Sequence, residues 1–404
     1  MEGKKKIEWA MKWMPVLNDV RGEFQSKKPF KGMNVSMALH LEAKTAVLAY
    51  TLKVGGASVR ISGCNPLTTD DEVAKSLRDD YGVSAFGRRG MTREEYYDNL
   101  ARTVETEPDI IIDDGGDLTT LVLKDREMYK NVKGGNEETT TGVVRLKNME
   151  KAGALKFPMF DVNDALMKHL FDNRYGTGQS TIDGLMTATN LVIAGKRVVV
   201  AGYGWCGRGI ANKMRGLGAN VTVTEIDPFK SIEAHMDGFD VEEMKEAIKR
   251  ADFVITATGV KDIVTPEMLK HAKDGIILAN SGHFNNEIAV DDIEKEFGRG
   301  REVRRNVKQY SVGRKKIYVL SDGRLVNLAA GQGHPVEIMD LSFSIQALTA
   351  EFIAKNPPKK ARVFPVPQEI DLKVANLYLN SQGIKIDTLT KEQERYINSW
   401  QEGT

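Results

Sequence analysis

The sequence contains few cysteines, and its charges balance almost completely. Cys64 and Cys206 are the only thiols among 404 residues, which excludes a disulfide-stapled fold and suits a reducing compartment. The 57 basic and 56 acidic side chains leave a net charge of +1. Because such a chain has no strong global field, binding of polyanionic nucleic acid is not expected, and a small ligand recognised locally is the better prediction.

Long apolar runs are also missing. No stretch approaches the roughly 18 apolar residues of a membrane span, and Glu8 and Lys12 interrupt the basic N-terminal segment before an apolar signal region could form. We therefore expect a cytoplasmic protein without a membrane partner. The sequence shows no internal repeat and no low-complexity segment, so a repeat architecture is not expected either.

Short apolar runs alternate with helical periodicity almost throughout the chain, which is typical of α/β proteins with buried parallel strands. Strands are predicted over residues 35–40, 58–62 and 109–114, and a helix over 44–52. Polar residues gather where these strands end, which is where α/β sheets bind ligands. At 404 residues the chain exceeds the size at which one core usually keeps growing, so two substantial domains are expected.

A glycine-rich motif follows the apolar run 198–201. Gly202, Gly204 and Gly207 form a G-x-G-x-x-G pattern that opens a predicted helix, and Glu225 ends the next predicted strand. The glycines allow a tight turn and close approach of the backbone to a pyrophosphate, while the acid can hold the adenosine ribose hydroxyls. The pattern predicts a Rossmann-type site for NAD, because the carboxylate of Glu225 would repel the 2′-phosphate of NADP.

Several polar clusters outside this motif exceed what a simple dehydrogenase needs. These clusters are residues 113–117, 137–142, 168–173, 280–284 and 323–335. In order and spacing they resemble the S-adenosylhomocysteine hydrolase family, and the resemblance covers nearly the whole chain.

The resemblance implies a cyclic reaction. The family oxidises the ribose 3′-hydroxyl of its substrate with bound NAD, and the new ketone makes the C4′ hydrogen acidic. Homocysteine thiolate is then eliminated, water adds, and the ketone is reduced again. The net reaction is the reversible hydrolysis of S-adenosyl-L-homocysteine to adenosine and L-homocysteine.

The same resemblance implies five catalytic residues. Asp114 matches the base that removes the C4′ proton, and His40 matches the imidazole that assists thiolate departure and water addition. Lys168 and Asp172, four residues apart on a predicted helix, would bracket the 3′-hydroxyl, and His283 belongs to a closing loop. The substrate-binding candidates are Lys44, Asp114, Glu138, Lys168, Asp172 and His334.

Taken singly, these residues have plainer interpretations. An acid at a strand end is often a helix cap, a lone histidine is often a core residue, and a Lys–Asp pair four residues apart is often a surface ion pair.

The resemblance also implies cofactor contacts by threonines and closing loops, and it implies no metal site. The cofactor-binding candidates are Thr139, Thr140, Thr141, Asn173, Gly202, Gly204, Gly207, Glu225, Ser281, Gly282, His283 and Asn327.

The chain departs from the family pattern in two places. Where most members have His-x-Thr-x-Glu, this sequence has Glu42 and Lys44 after His40. Lys44 donates hydrogen bonds only, so it suits the O6 acceptor of hypoxanthine better than the amine of adenine, and S-inosyl-L-homocysteine is an alternative substrate. The chain also lacks the Lys- and Tyr-bearing tail with which long members reach a neighbouring subunit's NAD site, so it resembles a short form.

We predict an α/β fold with two domains. A substrate domain spans 1–165 and returns over 335–385, a Rossmann-type NAD domain is inserted at 174–334, and 386–404 form a short C-terminal tail. The chain crosses between the domains near 163–173 and near 327–336, and closure about these two crossings is expected to shield the site. The resemblance implies a homotetramer. An NAD-dependent hydroxy-acid dehydrogenase and a non-catalytic NAD-binding regulator remain alternatives.

Overall fold

A computed structural model of the chain describes residues 2–401. Its strands form two separate sheets, one of seven strands and one of eight. In chain order the strands are β1 Asn34–Leu39, β2 Ser58–Gly63, β3 Ser84–Phe86, β4 Ile110–Asp113, β5 Gly134–Glu137, β6 Met159–Asp161, β7 Arg197–Ala201, β8 Asn220–Thr224, β9 Asp240–Val241, β10 Phe253–Thr256, β11 Ile277–Asn280, β12 Arg301–Arg304, β13 Val307–Val312, β14 Lys315–Leu320 and β15 Val363–Pro365.

Helices connect most of these strands. No helix among residues 2–401 has both the length and the apolar character needed to cross a membrane. The helices are α1 Glu2–Lys12, α2 Pro15–Lys27, α3 Ala43–Val54, α4 Asp71–Asp79, α5 Arg93–Val104, α6 Asp117–Val122, α7 Arg126–Tyr129, α8 Thr140–Lys151, α9 Leu166–Lys168, a π-helix His169–Gly176, α10 Thr177–Thr189, α11 Trp205–Gly216, α12 Pro228–Met236, α13 Met244–Ala247, α14 Pro266–Leu269, α15 Val290–Phe297, a 3-10 turn Ser321–Gly323, α16 Val326–Ala329, α17 Val336–Lys355, α18 Gln368–Ser381 and α19 Lys391–Ile397.

The seven-stranded sheet has the order β15-β6-β5-β4-β1-β2-β3, and all its neighbouring strands are parallel. Its central strands are buried on both faces, which explains the continuous apolar run Ile110–Ile112 in β4. Asp113 at the end of β4 pairs in register with Glu137 at the end of β5. The residues that follow β1, β2, β4 and β5 therefore emerge side by side at one edge.

The eight-stranded sheet has the order β12-β13-β14-β11-β10-β7-β8-β9. Its strands are parallel from β14 to β9, while β12, β13 and β14 form antiparallel pairs at one edge. β7 lies between β10 and β8 and leads directly into the glycine-rich motif. The predicted α/β fold is confirmed.

The first sheet is discontinuous in sequence. Six of its strands come from residues 34–161, and β15 joins them only after the chain has formed the second sheet. The return runs through α17, whose buried residues Ile345 and Leu348 belong to the core that holds Met37 of β1 and Val47 of α3. The second sheet is thus inserted into the unit built on the first.

The helix predicted to carry Lys168 and Asp172 differs from expectation. α9 ends at Lys168, and the next eight residues form a π-helix. In a π-helix the backbone hydrogen bonds join residues five apart rather than four apart, and such helices often occur at functional sites. The wider turn brings Lys168 close to Asn173, five residues further on, as well as to Asp172.

Candidate active site

Three candidate residues and one cysteine lie directly after neighbouring strands of the first sheet. His40 follows β1, Cys64 follows β2, Asp114 follows β4 and Glu138 follows β5. Because these strands are adjacent and parallel, their carboxyl ends meet at one edge, and the four side chains form one polar surface there.

Asp114 is the centre of the first cluster on this surface. His40 Nε2 lies 3.5 Å from Oδ2 of Asp114, and His283 Nδ1 lies 3.6 Å from Oδ1. The thiol of Cys64 donates to Oδ2 at 3.4 Å. His283 comes from the loop after β11, so the cluster joins the two sheets, and a Cβ at Gly115 would collide with its imidazole.

Burial sets the charge state of His40. It lowers the pKa of the imidazole to about 4, with His283 acting in the same direction and Asp114 in the opposite one. Nδ1 of His40 lies 2.8 Å from the hydroxyl of Thr68, which fixes the ring. The imidazole is therefore neutral at pH 7 and able to accept a proton beside the Asp114 carboxyl.

Lys168 is the centre of a second, more deeply buried cluster. Its ammonium donates to Oδ1 of Asn173 at 2.8 Å, and lies 3.3 Å from Oε1 of Glu138 and 3.5 Å from Oδ2 of Asp172. All four residues are buried. A surface ion pair is therefore excluded for Lys168 and Asp172.

The charges in this cluster shift one another's pKa values. Burial lowers the pKa of Lys168, but the carboxylates of Asp172 and Glu138 outweigh it and raise that pKa above its ordinary value. Burial raises the pKa of Glu138 to about 8, against the opposing charge of Lys168. Burial would also raise the pKa of Asp172, but Lys168 and His334 outweigh it and hold that pKa well below its usual range. A fixed cation thus lies between a permanent carboxylate and a group that exchanges a proton near neutral pH.

The loop at the second crossing closes over this cluster. Nδ1 of His334 lies 2.6 Å from Oδ1 of Asp172, and Nε2 lies 3.4 Å from the hydroxyl of Thr177. Two residues earlier, the carbonyl of Gln332 accepts from the ammonium of Lys44 at 2.9 Å. One segment therefore supplies His334 and also contacts Lys44 of α3, and both residues were predicted to bind substrate.

The glycine-rich motif has the geometry that a dinucleotide needs. Gly202 has φ +93°, and a Cβ at Gly207 would collide with the Gly202 carbonyl, so glycine is required at both. Gly204 caps α11 at its N-terminus. Oε2 of Glu225 accepts from the backbone N–H of Tyr203 at 2.7 Å, which places the carboxylate against the turn. The turn, the helix N-terminus and the acid together fit NAD.

The remaining cofactor candidates divide between the two units. The hydroxyls of Ser281 and Thr181 lie 2.7 Å apart, and the backbone N–H of Gly282 donates to Oδ1 of Asn280 at 2.7 Å. These hydrogen bonds fix the loop after β11. Oδ1 of Asn327 is buried without a hydrogen-bond partner among residues 2–401, as expected of a group that meets a ligand. Thr139, Thr140 and Thr141 open α8.

Two site residues were missed from the sequence. Cys64 follows its strand just as His40 and Asp114 follow theirs, and that position was the available signal. Glu137 accepts at one oxygen from the backbone N–H groups of Gly115 at 2.8 Å and Thr139 at 3.0 Å. It joins the Asp114 loop to the start of α8; it lies in the polar cluster 137–142, but the sequence analysis assigned it no role of its own.

The fold and the site together define an NAD-dependent enzyme whose substrate-facing charges and dinucleotide turn belong to different units. A family model described as S-adenosyl-L-homocysteine hydrolase matches residues 1–128, and one described as its NAD binding domain matches residues 173–333. The adenosylhomocysteinase of Thermoplasma volcanium is 61% identical over 100% of this chain and 99% of its own length. The chain therefore belongs to the S-adenosyl-L-homocysteine hydrolase family, which makes it a hydrolase of a thioether bond that uses NAD.

The names of the relatives in this family specify two different substrates. The S-inosyl-L-homocysteine hydrolase of Methanocaldococcus jannaschii is 56% identical over 100% of this chain and 97% of its own length. Among solved structures, a dipicolinate synthase from Bacillus halodurans superposes with a TM-score of 0.52 at 14% identity, covering 81% of this chain and 99% of its own. That likeness concerns the fold alone.

We predict that Asp114→Asn stops C4′ proton removal while leaving the first oxidation nearly intact, because the amide keeps the shape but cannot accept the proton. Turnover should fall by about 10²–10⁴-fold, and bound reduced nicotinamide, followed by its absorbance, should accumulate. Asp98→Asn, an exposed change on α5, is the matched control. Wild-type turnover by Asp114→Asn would show that Asp114 is not the base.

Proposed function

We propose that this protein catalyses the reversible hydrolysis of S-adenosyl-L-homocysteine to adenosine and L-homocysteine. The observation that carries the proposal is the proximity of two clusters of titratable side chains, around Asp114 and around Lys168. They lie near a dinucleotide turn, whose Cys206 contacts Thr177 directly after the π-helix. A dehydrogenase of a small hydroxy acid needs one such cluster, and a regulator needs none.

The residues have distinct roles in the proposed reaction. NAD, when bound, supplies the oxidation of the 3′-hydroxyl and its later reversal. Lys168 stabilises negative charge developing at that oxygen, and Glu138 and Asp172 grip the ribose hydroxyls on either side. Asp114 takes the C4′ proton, and His40, neutral beside it, assists departure of the thiolate and addition of water.

We propose further that the cofactor is held by residues from both units. Gly202, Gly204, Gly207 and Glu225 bind the pyrophosphate and adenosine end. Thr139, Thr140, Thr141 and Asn173 receive the nicotinamide end, where Asn173 already contacts Lys168. Ser281, Gly282, His283 and Asn327 close over it.

The proposed domain division is 1–165 with 335–385 for substrate, 174–334 for NAD and 386–404 as a tail. Closure of the two domains explains the contacts that now cross between them. His283 meets Asp114, Lys44 meets the Gln332 carbonyl, and Arg89 donates to the carbonyl of Ala329 at 2.6 Å. Such closure excludes water from the reacting ribose.

We also propose that the protein works in the cytoplasm as a homotetramer. Two free cysteines are consistent with a reducing compartment. Apolar side chains stay exposed along the C-terminal segment, among them Ile386, Leu389, Ile397 and Trp400. Formation of the tetramer would cover these exposed apolar groups.

Product analysis tests the proposed hydrolysis against the dehydrogenase alternative. Purified protein given S-adenosyl-L-homocysteine should release adenosine and homocysteine in equal amounts, with no net reduction of added NAD. The absorbance of reduced nicotinamide should rise transiently on the protein and then fall. Release of one reduced nicotinamide per turnover would contradict the proposal, and so would the absence of both products.

S-inosyl-L-homocysteine is the second candidate substrate, and the Lys44 geometry favours it. The Lys44 ammonium is buried, bound by the Gln332 carbonyl and paired with Glu42 at 2.9 Å. Glu42 also caps α3 by accepting from the N–H groups of Lys44 and Thr45, so its carboxylate has little capacity left for an adenine amine. The third N–H of Lys44 remains a donor for the O6 acceptor of hypoxanthine.

We therefore expect the enzyme to accept S-inosyl-L-homocysteine at least as well as S-adenosyl-L-homocysteine. The kcat/KM for the inosyl substrate, divided by that for the adenosyl substrate, should fall several-fold in Lys44→Met and further in Lys44→Glu, since a buried donor to the base is lost. Lys53→Glu, an exposed change on the same helix, should leave this ratio unchanged. A strong preference for the adenosyl substrate that none of these variants alters would show that Lys44 does not recognise the base.

A further inference from the structure

The long return helix α17 contributes two neutral donors to the Lys168 cluster. Ser342 and Gln346 are fully buried and lie one helical turn apart. The Ser342 hydroxyl donates to Oδ2 of Asp172 at 2.6 Å, and the Gln346 amide donates to Oε2 of Glu138. Each of the two acids beside Lys168 therefore receives a hydrogen bond from the same helix.

Ser342 and the Lys168 ammonium approach the same oxygen of Asp172. On Glu138, Gln346 binds Oε2 while the ammonium lies nearer Oε1. Charge-assisted N–H···O bonds are commonly about 2.7–2.9 Å long, whereas the ammonium lies 3.3 Å from Glu138 and 3.5 Å from Asp172. Its shortest contact is with the neutral amide of Asn173. An ammonium has three donors, so Lys168 keeps capacity to meet a ribose hydroxyl.

α17 is itself fixed at two points along its length. Asp340 accepts from the backbone N–H groups of Val16 at 3.0 Å and Leu17 at 2.7 Å, which cap α2. The side chain of Asn136 in β5 donates to the carbonyl of Gln346 at 3.1 Å. Ser342 lies between these two hydrogen-bonded positions, so the helix can neither rotate nor slide without breaking hydrogen bonds at one of them.

We propose that Ser342 and Gln346 are positioning residues that hold Asp172 and Glu138 away from a tight ion pair with Lys168, so that the ammonium can engage the substrate's 3′-hydroxyl. The proposal rests on the proposed function, because it assigns the two residues to the oxidation step of that reaction. Both residues act through the acids and not by contact with the reacting atoms.

The first test compares two buried serines of α17. Ser342→Ala should lower kcat by about tenfold or more, the usual consequence of losing a hydrogen bond to a charged group, while KM changes by less than about twofold. Ser344→Ala removes a hydroxyl that is equally buried but has no hydrogen-bond partner within residues 2–401, and should stay near wild type. Ser342→Thr, which keeps the hydroxyl, should recover much of the loss.

The second test uses the pH profile. Donation from Gln346 stabilises the charged form of Glu138, so Gln346→Met should raise the pKa of that carboxyl and move the limb of the kcat profile near pH 8 to higher pH. The charged groups facing Glu138, which are Lys168, Asp172 and Asp114, are unchanged in this variant.

The outcomes separate this proposal from the proposed function. If wild type and Ser344→Ala hydrolyse the thioether but Ser342→Ala matches them, and Gln346→Met leaves the profile in place, the positioning role is wrong. If wild type does not hydrolyse the thioether at all, the proposed function is wrong instead. In each preparation kcat is calculated per mole of protein-bound NAD, so that loss of cofactor is not mistaken for a lower kcat.

Discussion

The structure depends on one buried ammonium. Removing Lys168 from water is unfavourable unless opposite charges and hydrogen bonds compensate it, and every element around it contributes to that compensation. The residue after β5 is Glu138, the π-helix supplies Asp172 and Asn173, and the closing loop brings His334 to Asp172. Among these contacts, the one between His334 and Asp172 crosses between the two units, and its loss would remove a partner from the buried Asp172 carboxylate.

The second constraint is steric, and it decides how closely the two units can approach. A side chain at position 115 would collide with His283, and a Cβ at Gly176 would lie 2.8 Å from Nδ1 of His334. Glycine at these two points lets imidazoles from the inserted unit reach Asp114 and Asp172. The contacts of His283 with Asp114 and of His334 with Asp172 depend on this approach of the two units, which couples water exclusion to completion of the two clusters.

Local signals predicted much of this arrangement. Buried strands ending in polar residues placed His40 and Asp114 at one edge, and the glycine motif with Glu225 predicted the dinucleotide turn. Spacing alone could not predict contacts that depend on remote segments, such as Lys44 with the Gln332 carbonyl or Ser342 with Asp172. The π-helix was missed because its sequence has no pattern distinct from that of an α-helix, and its wider turn is favoured by the contact of Lys168 with Asn173.

Solvent exchange at the ribose C4′ most directly tests whether hydrolysis proceeds through an acidified C4′ position. Wild-type protein, NAD and the nucleoside thioether are incubated in D₂O, and nucleoside product and residual substrate are examined by proton NMR. Because Asp114 is proposed to remove the C4′ proton and to return one that has exchanged with solvent, the C4′ signal should disappear from the product as hydrolysis proceeds. Full retention of that signal through complete turnover would indicate direct displacement at C5′ and contradict the proposed chemistry.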